Sequence, residues 1–175
     1  MKKEVAALEN QVRFSRMVRV GQAVDPFELE DVTTNKLVNL ADYQGRGVLL
    51  VFFSVNCKYC HQDVVLWQRI ADQSDSTHPP VLAIAVGDDA LSVAQHARQH
   101  ELLFPVLLDL DKKVFNGMNL PGTPTKVLLD KDLRVVRVWL GLTSQNSAPA
   151  DLQMLKQIWD IEAKDLPIAG AIQIQ

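Results

Sequence analysis

Six consecutive apolar residues, Val48 to Phe53, lead almost directly into the chain's only two cysteines, Cys57 and Cys60. A continuous run of that length, rich in β-branched and aromatic residues, marks a strand buried on both faces. Gly45 and Gly47 punctuate the chain before it, and an apolar helical pattern from Gln62 to Ala71 follows the cysteines. That helix should turn Val64, Val65, Leu66, Trp67 and Ile70 inward. A strand buried on both faces needs neighbouring strands at its sides and helices above and below.

The rest of the chain supplies those elements. Val5, Leu8, Val12 and Met17 give residues 3–20 a loose helical pattern. Phe27–Val32 and Leu37–Leu40 read as two strands joined by a turn at Thr33–Lys36. Val81–Val86 is a second buried strand after a loop from Ser74 to Pro80. Asp88 or Asp89 should cap a helix running to about His100. Pro105–Leu108 is a short strand, and Asp111–Met118 a helical turn or two. Thr125–Leu129, a turn at Asp130–Asp132, and Leu133–Trp139 form a hairpin. Pro149–Ile161 closes as an amphipathic helix with Leu152, Leu155, Ile158 and Trp159 inward. The expected class is α/β, a mixed sheet with helices on both faces.

Composition narrows the function classes. With 175 residues, 47% hydrophobic and 22% charged, the chain suits one globular unit with a real core. Its net charge of −3 lacks the concentrated basic footprint of a nucleic-acid binder. No apolar run reaches the roughly 18 residues that would span a bilayer. Residues 1–19 hold Lys2, Lys3, Arg13, Arg16 and Arg19 against Glu4 and Glu9. Such a basic leader either contacts an anionic surface or forms a solvated helix. Met1-Lys2-Lys3 resembles the start of an export signal, but Glu4 follows and no apolar segment does. Membrane association is expected only through an anchor not seen in this chain.

Cys57 and Cys60 close too small a loop to stabilise the fold much. Chemistry explains them better. A cysteine at the start of a helix meets free N–H groups and the positive end of the helix dipole, which favour its thiolate. Lys58 adds a nearby charge. Such cysteines have pKa values of roughly 3.5 to 7.5, against about 8.5 for a free thiol. A thiolate there attacks a disulfide, and a second thiol one turn on resolves the mixed disulfide. Cys57 is therefore the expected nucleophile and Cys60 the resolving thiol. No cofactor is needed, because the electrons reside in the redox-active cysteine pair.

Strand, Cys57-Lys58-Tyr59-Cys60, helix, and a later Gly122-Thr123-Pro124-Thr125 before the hairpin resemble the thioredoxin fold. Members of that family place a cis-proline opposite the cysteine pair, and Pro124 matches it. The resemblance implies that the Thr123 backbone docks an extended substrate peptide while Pro124 keeps it off the thiols. The N-terminal hairpin, Tyr43-Gln44-Gly45-Arg46-Gly47, and the inserted strand–helix–strand segment at about 81–108 resemble one subfamily. It is the membrane-associated, TlpA-like thiol-disulfide oxidoreductases related to cytochrome c maturation. The resemblance covers about residues 20–165, between a helical leader at 1–19 and a tail at 166–175. It implies protein substrates with disulfides or thiols, an upstream thiol-disulfide electron donor, and a place in the periplasm or cell envelope. A cytoplasmic location is the alternative.

The chain departs from that subfamily at several positions. Asn56 stands where Trp is usual, Tyr59 where Pro is usual, and Val65 where a helix proline is usual. Asp63 stands where the subfamily carries Glu. It could relay protons to the thiols, or be a first-turn acid favoured by the helix dipole. The buried acid of cytosolic thioredoxins would fall on Val51, which cannot serve. The direction of electron flow leans toward disulfide reduction by resemblance, although Lys58 and the helix end both push toward oxidation.

Other readings compete. Cys57-Lys58-Tyr59-Cys60-His61 also matches the C-x-x-C-H haem attachment motif, with His61 and Met118 or Met154 as axial ligands. Against it stands the buried strand just upstream, since small cytochromes c are mainly helical. A peroxiredoxin-like peroxidase would need proline where Leu50 stands. An inactive thioredoxin-like binding module would have no need for both cysteines. His96 and His100, four apart on one helix face, lack a third ligand nearby in sequence and are expected to be solvated. No metal site is expected.

Overall fold

The structure, a computed structural model, describes residues 1–75 and 77–168. Residues 169–175 of the expected C-terminal tail lie outside the described residues. In chain order the elements are α1 (Lys2–Arg16), β1 (Glu28–Asp31), β2 (Lys36–Asn39), a 3₁₀ turn at Leu40–Tyr43, β3 (Val48–Phe53) and α2 (Lys58–Asp72). There follow β4 (Val81–Val86), α3 (Ala90–Gln99), β5 (Val106–Asp109), α4 (Lys113–Gly117), β6 (Thr125–Leu129), β7 (Val135–Leu140) and α5 (Pro149–Trp159). A second 3₁₀ turn spans Ala163–Asp165.

The strands form one sheet in the order β2-β1-β5-β4-β3-β6-β7. β3 pairs parallel with β4, and β4 parallel with β5. β6 pairs antiparallel with β3 and with β7. The β1–β2 hairpin joins antiparallel to β5. All six residues of β3 are buried. Alternation along it splits the core. Leu49, Val51 and Phe53 face α2, α3 and α5, while Val48, Leu50 and Phe52 face α4 and the N-terminal segment. Each such side chain contributes roughly 1.5–3 kcal/mol by leaving water.

Buried polar groups fix the turns. Asp31 accepts hydrogen bonds from the Thr33 N–H and hydroxyl and the Thr34 hydroxyl, closing the first hairpin. The Asp109 carboxylate accepts from the Val114 and Phe115 N–H groups at the start of α4. Gly47 enters β3 with φ +82°, and a Cβ there would stand 2.8 Å from the Leu129 carbonyl oxygen. Only glycine suits both conditions.

Several expectations change. α1 stops at Arg16, short of residue 20, and buries no residue. It is tethered by Arg13, which donates to the Leu120 carbonyl and to Asn116 Oδ1 at 3.0 and 3.1 Å. α2 begins at Lys58 rather than Gln62, because Cys57 itself serves as its N-cap. Val65 is not inward; it is 46% exposed, since α2 turns Val64, Leu66, Trp67 and Ile70 to the sheet and Val65 away from it. β7 starts at Val135 rather than Leu133.

Candidate active site

Cys57 leaves the C-terminal end of the central strand through the loop at Ser54–Asn56. That loop is held from the side by Asp88, which follows β4. Asp88 Oδ2 accepts from the Val55 N–H at 3.0 Å, and Oδ1 accepts from the Ser54 hydroxyl at 3.3 Å. Asp89, not Asp88, caps α3, accepting from the Ser92 N–H at 2.9 Å. The two neighbouring aspartates thus divide two tasks that the sequence left undivided.

Cys57 and Cys60 are joined in a disulfide. The Cys57 sulfur accepts from the Cys60 N–H at 3.2 Å, so it sits on the free N–H groups of the first turn. Cys57 is half-buried and Cys60 is 1% exposed. The first cysteine is partly exposed and the second shielded. Lys58 and Tyr59 between them are exposed.

The Thr123–Pro124 peptide bond is cis, as the resemblance implied. Thr125 is the register partner of Phe52, so Pro124 lies at the end of the sheet from which the cysteine loop departs. The Gly141 N–H donates to the Pro124 carbonyl at 2.8 Å, tying this segment to the loop after β7.

Asp63 is fully buried. With α2 starting at Lys58, it lies in the second turn, so the first-turn dipole reading fails. Its Oδ2 accepts from Lys126 Nζ at 2.5 Å and from the Trp67 indole N–H at 2.9 Å. Its Oδ1 accepts from the Thr143 N–H at 2.9 Å. Lys126 also donates to the Gly141 carbonyl at 2.6 Å. Burial lowers the Lys126 pKa below its ordinary 10.5, while the Asp63 charge opposes that shift. Lys126 sits opposite Val51 in the sheet register. A lysine–acid pair is therefore built beside Val51, with the acid supplied from α2.

On the other flank of α2, His61 meets α3. Its Nε2 is 2.8 Å from the Val55 carbonyl oxygen. Its ring centroid lies 5.2 Å from that of His96 and 5.5 Å from that of His100, which are 4.4 Å apart. His96 is 6% exposed and stacks on Phe53 at 5.4 Å. The solvated-face expectation for His96 is thus wrong, and the third histidine missing from the local sequence is His61. Burial first, then the neighbouring His100 and His61, push His96 down to about 4. His100 is lowered mainly by burial.

Of the methionines that haem attachment would call on, Met154 packs partly buried in the cluster that α2 covers. Met118 packs into the core on the sheet face opposite the one that α2 covers. Leu50, where a peroxiredoxin would need proline, lies inside β3 paired to Leu82 and Val127. A cleft of about 600 Å³ lined by Val24, Phe27, Leu29 and Met118 also lies toward that opposite face and includes none of the cysteine-site residues.

Strand order, the cysteine pair at a helix start and the cis-proline segment define a thioredoxin-like fold. The family model described as the AhpC/TSA family matches residues 20–138, and the chain belongs to that family. It is 30% identical over 139 residues to the thiol-disulfide oxidoreductase ResA of Geobacillus kaustophilus, covering 79% of each chain. A Neisseria meningitidis structure assigned as a thioredoxin is 28% identical, with TM-score 0.65, over 78% of this chain and 89% of that one. A Chlorobium tepidum structure assigned as a thiol:disulfide interchange protein DsbE has TM-score 0.68 at 23% identity, over 80% and 94%.

Proposed function

We propose that the protein is a thiol-disulfide oxidoreductase acting on protein thiols and disulfides, with Cys57 as nucleophile and Cys60 as resolving thiol. The observation that carries this is the asymmetry of the pair: a partly exposed cysteine at a helix start and a buried one a turn later. In the reduced protein, the Cys57 thiolate attacks a substrate disulfide, releasing one substrate thiolate and forming a mixed disulfide. Cys60 then loses its proton and attacks the Cys57 sulfur. The second substrate thiolate leaves, and two electrons have passed from the cysteine pair to the substrate. An upstream dithiol restores the reduced pair.

The Asp63–Lys126 pair takes the Cys60 proton in this scheme. Asp63 is three residues past Cys60, so the two share a helix face. Lys58 favours the Cys57 thiolate through its charge, and Tyr59, 54% exposed, offers its ring to the bound peptide. The Thr123 backbone beside Pro124 docks that peptide in extended form. The working unit is the thioredoxin-like segment over residues 20–165. The preferred direction is reduction of substrate disulfides, with a role in cytochrome c maturation outside the cytoplasm, as the resemblance to the TlpA-like subfamily implies. Among the described residues no helix is long and apolar enough to cross a membrane.

The test is trapping. Reduced Cys60→Ser, mixed with an oxidised protein substrate, should accumulate a covalent mixed disulfide on Cys57, seen by mass spectrometry. Wild type should turn over without accumulation, and Cys57→Ser should do neither. Substrate reduction by Cys57→Ser at the wild-type rate would overturn the assignment.

A further inference from the structure

The structure gives His61, His96 and His100 an arrangement that thiol exchange does not use. One ring nitrogen from each lies within 4.8 Å of the others. His61 Nε2 is engaged by the Val55 carbonyl, so Nε2 carries the proton and Nδ1 is left with a free lone pair. A ring N–H bound to a backbone carbonyl is the support that metal-ligating histidines generally have. Among the described residues, no hydrogen bond engages the ring nitrogens of His96 or His100. The three rings therefore turn ligand atoms toward one another, with no protein group competing for those of His96 and His100. Gln68 of α2 donates to the His100 carbonyl at 2.8 Å, which fixes the end of α3 against α2.

We propose that His61, His96 and His100 bind a divalent transition-metal ion, Zn²⁺ being the one that best fits three imidazoles with a fourth position open. Imidazole donors suit Zn²⁺ and its transition-metal neighbours and disfavour Ca²⁺ and Mg²⁺. His96 and His100, four apart on α3, supply two ligands from one helix face, as paired histidines on zinc-binding helices do. Tetrahedral bonds of about 2.0–2.1 Å place ligand nitrogens about 3.3 Å apart, so small side-chain rotations close the site. The ion would sit beside the first turn of α2, at the residue directly after Cys60. The proposal stands apart from the thiol reading, because its ligands exclude both cysteines.

The test uses the full-length protein in its disulfide form, so that thiols cannot bind metal. Zn²⁺ is titrated against a chromophoric chelator, with ¹⁵N shifts of the histidine rings followed in parallel. The expected result is one Zn²⁺ per chain, with shifts at His61, His96 and His100 and none at His78. His61→Gln and His100→Gln should each weaken binding at least about tenfold, while His78→Gln leaves it unchanged. Both substituted positions lie outside the hydrophobic core, so the variants should fold, which circular dichroism checks. Absence of saturable binding up to about 1 mM Zn²⁺ overturns the site. So does binding that survives both substitutions at full strength, or that His78→Gln abolishes.

Discussion

Two charged or chargeable clusters flank the same helix, and they are built on opposite plans. Asp63 and Lys126, on one flank of α2, are nearly dry and hydrogen-bonded to each other and to their surroundings. The carboxylate accepts three hydrogen bonds, and the ammonium donates to a carboxylate and a carbonyl. His61, His96 and His100, on the other flank, crowd three rings together and leave two of them without a partner among the described residues. A satisfied network rigidifies and specifies, whereas crowded imidazoles with no protein partner leave ligand atoms free. The first cluster is proposed to serve the thiols, and the second to be a separate site.

The largest expected effect tests the satisfied side. Lys126→Met leaves the Asp63 carboxylate buried without its cation and should cost about 3–5 kcal/mol in urea unfolding. Asp63→Leu combined with Lys126→Met should recover most of that loss. A single-variant loss below about 1 kcal/mol would mean that Asp63 does not depend on its cation.

Next comes the chemistry of the same pair. Asp63→Asn should slow resolution of the mixed disulfide by Cys60 about 10²-fold near neutral pH, the usual scale for losing an acid–base group. Stopped-flow quenching of Trp67 fluorescence can follow it. Unchanged resolution kinetics would reduce the pair to a structural role.

A smaller effect probes the histidine side. The folded-state pKa of His96, about 4, lies below its unfolded value of 6.5. The unfolded chain therefore binds the extra proton first as pH falls. The stability tied to neutral His96 is fully present above pH 6.5 and is lost as pH drops toward 4. With chelator present, the loss should be on the order of 2–3 kcal/mol across that window, and His96→Phe should flatten it. The titratable groups facing His96 are His61 from α2 and His100 from its own helix. A pH-independent unfolding midpoint between 6.5 and 4 would contradict the burial of a neutral ring. The smallest effect is His100→Gln on metal-free stability, expected within about 0.5 kcal/mol in thermal unfolding.

Much of this was legible in local sequence. The β3 run, the cysteines at a helix start, Pro124 before β6 and the β6–β7 hairpin all follow from patterns a few residues long. What stayed hidden depends on contacts across the fold. Lys126 reads as one polar residue in an apolar strand, and only the β3–β6 register brings it to Asp63, 63 positions away. His96 and His100 read as a wet helix face until α3 is laid beside α2, where His61 covers them. Val65 failed for a different reason. An apolar residue in an apolar stretch is assigned inward by composition, yet the helical period turns it to solvent.

The most direct test is redox titration of the full chain, with free thiols and Trp67 fluorescence followed across a dithiothreitol or glutathione series. The cysteine pair should show one reversible two-electron transition between two thiols and none, with a midpoint nearer the thioredoxin end, about −270 mV, than the oxidant end, about −120 mV. A midpoint near −120 mV would reverse the proposed direction of electron flow. No reversible transition at all would contradict the claim that Cys57 and Cys60 are a working redox couple.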